Sequence, residues 1–541
     1  MTSRDRRRSF LRAAVAMGAA GASARGAQST PLEAQAGIWD VTRFGVSRDG
    51  RTLDTGRIQQ AIDECARAGG GTVYFPPGKH LSGTLLLRSH VSLHLEAGAT
   101  LLGSRDLAHY PSKIPAFRSY TDNYTERSLL YAEDVEDIAI HGRGVIDGQG
   151  ASFQGPYKVR PYLLRFIECR GVSVEDVTFR DSPMWVQHYL ACDDVCLRGV
   201  TVRSHVNHNN DGIDIDCCRR VRISDCDISS GDDAIVLKST AGRATRDVAI
   251  SNCVLSSHCN ALKMGTESNG GFQNITIANC AIYDTRLAGI ALEIVDGGVM
   301  DGVSISNVTM QGVNGPIFIR LGNRARPYVE GSTRPAVGAL RNVSLSNIEA
   351  SGADPTGCAI AGLPGHPLED VTVDNARLRF VGGGTVEDAA RQPPEHPEKY
   401  PEYSMFGRLP AYAFYCRHVR GLRLRNIETA CVQPDARPAV RCEDVETLQI
   451  SGARLRTSPG VSPGLRLHDV RDALIQGCQA PRAVPLWLEV SGSRSRGISV
   501  IGNDLGSAVR AVHTGSETAA GAVFLAANRL SAEDRAKVDV E

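Results

Sequence analysis

The sequence predicts an all-β chain, a right-handed parallel β-helix capped at its N-terminal end by an α-helix, and three observations carry that prediction. Short strands of alternating apolar and polar residues begin at Val172, Val195, Val221, Val248, Ile275 and Val303, at intervals of 23, 26, 27, 27 and 28 residues. The series resumes at Val343, Val371, Leu422, Leu448, Leu474 and Ile498. Such an interval marks a solenoid, whose repeats bury apolar faces against their neighbours. Second, the strands are about five residues long and broken by Gly, Asn, Asp and Ser, without the helical spacing or leucine consensus of other repeat folds. Third, Asp225, Asn252, Asn279, Asn307 and Asn347 share one position just after a strand. There a polar side chain can satisfy turn backbone and stack on the next coil, about 4.8 Å away.

In chain order, residues 1–24 read as a twin-arginine-type export signal. Arg7-Arg8-Ser9-Phe10-Leu11-Arg12 precedes an Ala/Gly-rich apolar run, and Ala22-Ser23-Ala24 offers a small-residue cleavage site. The run is too short and too weakly apolar to span a membrane. A mature protein without a membrane span, periplasmic or secreted, is therefore expected. The 60 basic and 60 acidic residues become 55 and 59 once cleavage after Ala24 removes five Arg and one Asp. That balance implies no strongly basic surface and argues against nucleic acid as the main partner. A single β-helix domain is expected over residues 38–535; nothing in the sequence points to an oligomeric state.

The cap helix is read from Asp54 to Gly69. Ile58, Ala61, Ile62, Cys65 and Ala66 fall on one helical face, with Asp54 as N-cap and Gly69 as the stop. Fifteen cysteines in an exported chain invite a disulfide reading, yet the number is odd. Cys226, Cys253 and Cys280 recur every 27 residues, as inward-facing small residues would. Buried free thiols are expected for that ladder, with Cys217-Cys218 and Cys192/Cys196 open as local pairs; no cysteine spacing suits a metal. Three long insertions interrupt the coils, near residues 104–128, 321–342 and 381–421, and carry most of the loop aromatics, among them Tyr110, Tyr120, Tyr124, Tyr328, Tyr400, Tyr403 and Tyr412. Aromatic faces on a groove rim suit sugar rings; packing the loops onto the wall is the competing reading.

The stretch Asn209 to Ser239 holds the candidate chemistry. Asp211 lies 21 residues, about one coil, before Asp232, with Asp233 beside it. Three acids brought together suit hydrolysis of a glycosidic bond, which needs one protonated carboxyl for the leaving oxygen and one ionised carboxyl for water. Crowding raises at least one pKa in such a cluster. His258, one coil further on, could tune the acid or bind a hydroxyl, while Lys238 and Lys263 could offset charge or bind an acidic sugar. Asp214, Asp216, Asp225 and Asp227 read as turn caps. Calcium is the competing source of counter-charge for adjacent acids.

Asn209-Asn210-Asp211, Gly231-Asp232-Asp233 and Ser257-His258-Cys259 resemble, in order and spacing, the signatures of glycoside hydrolase family 28, the polygalacturonases and rhamnogalacturonan hydrolases. The segment FGVSRDGRTLDTGRIQQAIDECARAGGGTVYFPPG and the run from Gly142 to Gly150 are similar to bacterial members of that family. The resemblance implies a pectin-lyase-like β-helix and inverting hydrolysis of a pectic polysaccharide or oligosaccharide without metal or organic cofactor. It makes Asp232 the general acid, gives Asp211 and Asp233 the water, and assigns His258 an assisting role. Two signatures depart: His258 stands between Ser257 and Cys259 where the family has glycines, and a second motif is replaced. Where the family's Arg-Ile-Lys grips a uronate, this chain has Ala291-Leu292-Glu293. Either Lys263, Arg286 or Arg320 supplies the missing cation, or the sugar there is neutral. The expected substrate-binding set is Asn209, Lys238, Lys263, Arg286, Glu293 and Arg320. Two other classes stay open, a β-helix polysaccharide lyase and a non-catalytic polysaccharide-binding solenoid.

Overall fold

In a strand, successive side chains point to opposite faces, so alternation fixes which residues line the interior of each coil. The computed structural model describes residues 37–534; the expected export signal lies outside them. Strands of successive coils pair in parallel into a right-handed β-helix. A coil near the middle consists of strands Ile213–Asp216, Arg219–Ser224 and Asp227–Ser230. Each pairs with its counterpart one coil on, Ile213 with Ile235, Val221 with Val248 and Ile228 with Leu255.

The apolar ladder expected from the repeat runs in register from Val172 through Val195, Val221, Val248, Ile275 and Val303. It continues through Val343, Val371, Leu422 and Leu448. Full burial of each such side chain contributes about 1.5–3 kcal/mol. One position is corrected. Leu448 pairs with Ala473, not Leu474, and Ala473 pairs with Ile498. Ala473 and Ile475 face inward and Leu474 outward, the one-residue slip that a period of two permits when the inward residue is small.

The first helix, α1, spans Thr55–Arg67 and buries Ile58, Ala61, Ile62 and Cys65 against the first coils. Asp54 sits at its N-cap position, but its carboxylate accepts from Ser47 and pairs with Arg57 instead of capping the helix. The amide ladder also forms. Asn252 donates to Asp225, Asn279 to Asn252, Asn307 to Asn279 and Asn347 to Asn307, all within 3.4 Å. Every one of these residues has φ between 54° and 58°, the left-handed region that Asn and Asp tolerate best after Gly. Turn geometry and stacking thus select the same side chain.

All fifteen cysteines are free. The thiols of Cys226, Cys253 and Cys280 each donate to the carbonyl two residues back, and Cys192 and Cys218 do the same. Among the described residues, no helix is long and apolar enough to cross a membrane. The first insertion is tied to the coil wall by Tyr120 N donating to Thr240 O, and the insertions contact one another where Asn323 N donates to Pro397 O and Arg326 lies over the Tyr120 ring.

Candidate active site

Backbone hydrogen bonds between coils decide which residues stack. Val186 N donates to Asp211 O, Gly212 N to Asp233 O and Ala234 N to Asn260 O. Trp185, Asp211, Asp233 and Asn260 therefore occupy equivalent positions in four successive coils. Asp232 stands one residue earlier, in the row of Asn210. The pair in register is thus Asp211 and Asp233, 22 residues apart like Ile213 and Ile235, and Asp232 falls one residue short of that coil.

The three carboxyl groups converge, each offering an oxygen within 4.8 Å of the others. Asp233 accepts from the Asn260 backbone and side-chain amides at 3.2 and 2.7 Å and pairs with Lys263 at 3.1 Å. Asp211 faces Lys238 at 3.5 Å with one oxygen and leaves the other without a hydrogen-bond partner. Asp232 is the least buried of the three. Its backbone carbonyl is pinned by the Ser230 and Ser257 hydroxyls, both at 2.6 Å, and its carboxylate accepts from Asp233 N at 2.9 Å and from the Asn209 amide at 3.4 Å. The most exposed acid is therefore also held at its backbone.

Burial pushes Asp232 above the ordinary carboxylate range, and the charge of Asp233 pushes it further. Burial and then Asp232 push Asp211 well up, against the attraction of Lys238. Like charges this close cannot all ionise, so the cluster retains a proton where an isolated aspartate would not. The counter-charge that could have come from calcium comes from two buried lysines. Burial lowers both, but carboxylates overcome it, Asp211, Glu267 and Asp214 around Lys238 and Asp233 above all around Lys263, so both lie well above the usual ammonium range. Asp214 is a further correction: it is no turn cap but a fully buried acid 3.6 Å from Lys238.

The acids floor a cavity of about 260 Å³. Each insertion contributes a wall: Tyr120 and Tyr124 from the first, Arg326 from the second, Tyr400 from the third. Tyr157 and Trp185 complete the aromatic lining, with Lys238 over the Trp185 ring at 4.6 Å. Tyr110, Tyr403 and Tyr412 are buried in the wall, the competing reading for loop aromatics.

Five residues of the expected set lie apart from the cavity lining, among them Lys263, which is buried against Asp233. The His258 ring packs against His205, with ring centroids 4.5 Å apart, above Gly231, which stands between them in the stack and carries no side chain to separate them. Burial and the nearby charge of Arg286 lower its pKa. Arg286 itself is exposed on that side. Arg320 is a correction: it is fully buried, donates to the carbonyls of Gly362 and Glu395, and stacks on Phe406. It ties the third insertion to the wall and, fully buried, is out of reach of a ligand. Glu293 is buried in register with Arg320 and lies 4.0 Å from Lys263. Glu267, a pocket residue that the sequence did not single out, ties Lys238 to Arg324 and Arg326.

With this geometry in place, comparison with known proteins is decisive for the family. The model of glycosyl hydrolases family 28 matches residues 75–394, more than half of the chain. The chain belongs to glycosyl hydrolases family 28. A model described as rhamnogalacturonase A/epimerase, pectate lyase-like, matches residues 38–111. A probable polygalacturonase of Vitis vinifera is 35% identical over 211 residues, 36% of this chain and 43% of that protein. An exo-poly-alpha-D-galacturonosidase of Dickeya chrysanthemi is 39% identical over 121 residues, 21% of this chain and 20% of that protein. The chain thus spans less than half the length of both these relatives. The family 28 exopolygalacturonase of Yersinia enterocolitica shares the fold, with a TM-score of 0.58 at 20% identity over 78% of this chain and 79% of that one.

Within family 28 the departure at Ala291-Leu292-Glu293 acquires a physical reading. Burial raises the Glu293 carboxyl to about 8, against the pull of Lys263, so below that pH it is largely neutral. The sign of the stability effect follows. An acid whose pKa is higher folded than unfolded leaves stability intact at acid pH and loses it as pH rises from the ordinary glutamate range to about 8. Glu293→Gln is expected to flatten that decline, read as the thermal midpoint of variant and parent across pH 4–9; parallel curves would show that Glu293 ionises normally.

Proposed function

We propose that this protein hydrolyses O-glycosidic bonds of a pectic polysaccharide or oligosaccharide. Asp232 donates its proton to the leaving glycosidic oxygen, the bond from that oxygen to the anomeric carbon breaks, and water adds to that carbon. Asp211 and Asp233 hold the water, and Asp233, the acid that meets an ammonium at 3.1 Å, accepts its proton. The observation that carries this reading is the convergence of three carboxyl groups on the floor of an aromatic-walled cavity. Aromatic walls receive the apolar faces of sugar rings, and the few polar groups fix orientation. A lysine base for elimination is not at hand, since Lys238 and Lys263 are buried in ion pairs that hold them protonated.

Inversion at the anomeric carbon is part of the proposal and rests on family resemblance. The carboxyl separation is shorter than the ~6.5–9.5 Å ordinary for inverting pairs and nearer the ~5–5.5 Å of retaining ones. Two acids that share the water, with a third giving the proton, reconcile a compact cluster with inversion. We propose further that residues 1–24 direct export, which puts the enzyme where extracellular polymer is found. The test is product analysis on homogalacturonan, rhamnogalacturonan and their oligomers. Reducing ends of inverted configuration, without ultraviolet-absorbing unsaturated ends and insensitive to chelator, are expected. Retained anomers would overturn the roles of Asp211 and Asp233, and unsaturated ends would replace hydrolysis by elimination.

A further inference from the structure

The family motif that grips a uronate is missing, and the structure shows which cation is placed to do its work. Of the cations around the cavity, Lys263 is committed to Asp233 and Glu293, and Lys238 to Asp211, Asp214 and Glu267. Arg324 is held on Asp296 through Nε and Nη2. All three are nearly buried. Arg326 differs in three respects. Its side chain keeps 27% exposure, it lines the cavity, and it makes one short hydrogen bond, from Nη2 to Glu267 at 2.5 Å. Among the described residues, neither its Nε nor its Nη1 donates a hydrogen bond.

The guanidinium is also pre-positioned. It lies 3.5 Å over the Tyr120 ring, so one face is stacked; Nη2 is fixed by Glu267 and stands 3.8 Å from Asp296, which leaves Nε and Nη1 for a ligand in the cavity that Arg326 lines. A planar fork with free N–H groups matches a carboxylate in two parallel hydrogen bonds, which a lysine cannot reproduce. Glu267 is ionised over the working range: burial raises it, but Lys238, Arg326 and Arg324 together hold it far below the usual glutamate range. The anchor therefore keeps its charge while Nε and Nη1 remain available.

Resting on the hydrolase reading above, we propose that Arg326 reads a carboxylate on the bound sugar, so that the cavity selects an acidic, uronate-type unit. The insertion at residues 321–342 would then supply from a loop the recognition that the family motif supplies from a strand. The test uses binding, so that it stands apart from turnover. In the Asp232→Asn background, titration calorimetry compares trigalacturonate with its carboxyl-reduced counterpart, adding Arg326→Ala or Arg326→Lys. Arg326→Ala is expected to weaken the acidic ligand at least about tenfold and leave the reduced one unchanged, with Arg326→Lys in between. Equal weakening of both ligands would make Arg326 a packing residue and overturn the proposal. No weakening of the acidic ligand, or no binding of it in the Asp232→Asn parent, would overturn it too, whereas reducing-end release by the unsubstituted protein would keep the hydrolase reading standing on its own.

Discussion

Asp232→Asn is expected to abolish reducing-end release from pectic substrate, by about 10³-fold or more, while the protein stays folded. Removing a general acid costs roughly 10²–10⁴-fold, and the upper part of that range applies because Asp232 is the least buried of the three acids, Asp211 and Asp233 lie deeper beside lysines, and the Asn209 amide that faces Asp232 has no acidic proton to give. The fold should be indifferent. Asn preserves the shape and still accepts from Asp233 N, the Ser230 and Ser257 bonds go to the backbone carbonyl, and removing one of three crowded acids relieves repulsion. The thermal midpoint is expected to stay within about 2 °C of the parent, or to rise. The pH profile of the parent follows from the same shift. Burial and Asp233 raise Asp232, so its proton is kept into a range where a free aspartate has lost it, and kcat falls on the alkaline side as that proton leaves. Collapse of the thermal midpoint together with activity would show that Asp232 is structural.

The solenoid was legible because its signal repeats. A dozen apolar starts at near-constant intervals fix the coil, and the Asn positions fix the turn, since one side chain satisfies both φ and stacking. Where a single coil is read alone the signal weakens, and at Ala473-Leu474-Ile475 the larger residue was read as inward although the small one is. The acids were legible for the same reason, since one coil of sequence separates them. Trp185 could have been found, because it lies 26 residues, one coil, before Asp211. Arg326 and Glu267 could not be paired by counting. They are 59 residues apart and meet through the path of an insertion, which has no period. Arg320 was misread for a related reason: from sequence it is an unpaired cation beside the motif, and only the third insertion folding over it shows that its charge is spent on loop carbonyls.

Lys263→Met is expected to lower kcat by about 10²-fold and to move the acid limb of the pH–rate profile upward. Lys263 stands in register with Ala291, which takes the place of the family's arginine, and lies 4.0 Å from Glu293, which takes the place of its lysine. Lys263 is turned onto Asp233, 3.1 Å away. Lys263 pulls Asp211 and Asp232 down, so without it the crowded acids have Lys238 alone close by, and more alkaline solution is needed for the cluster to reach its working charge state. The shift has this sign because a lost positive neighbour always favours the protonated carboxyl. Breaking a buried pair costs roughly 3–5 kcal/mol when the orphaned charge is left without a partner, but Asp233 keeps its two bonds from Asn260, so a smaller loss is expected. Lys263→Arg separates the electrostatic role from shape. It keeps the charge on a longer, planar head, and so should retain the parent's pH profile even where kcat falls. An unchanged acid limb in Lys263→Met would mean that Lys263 does not govern the charge of the cluster, and the division of labour among the three acids would have to be redrawn.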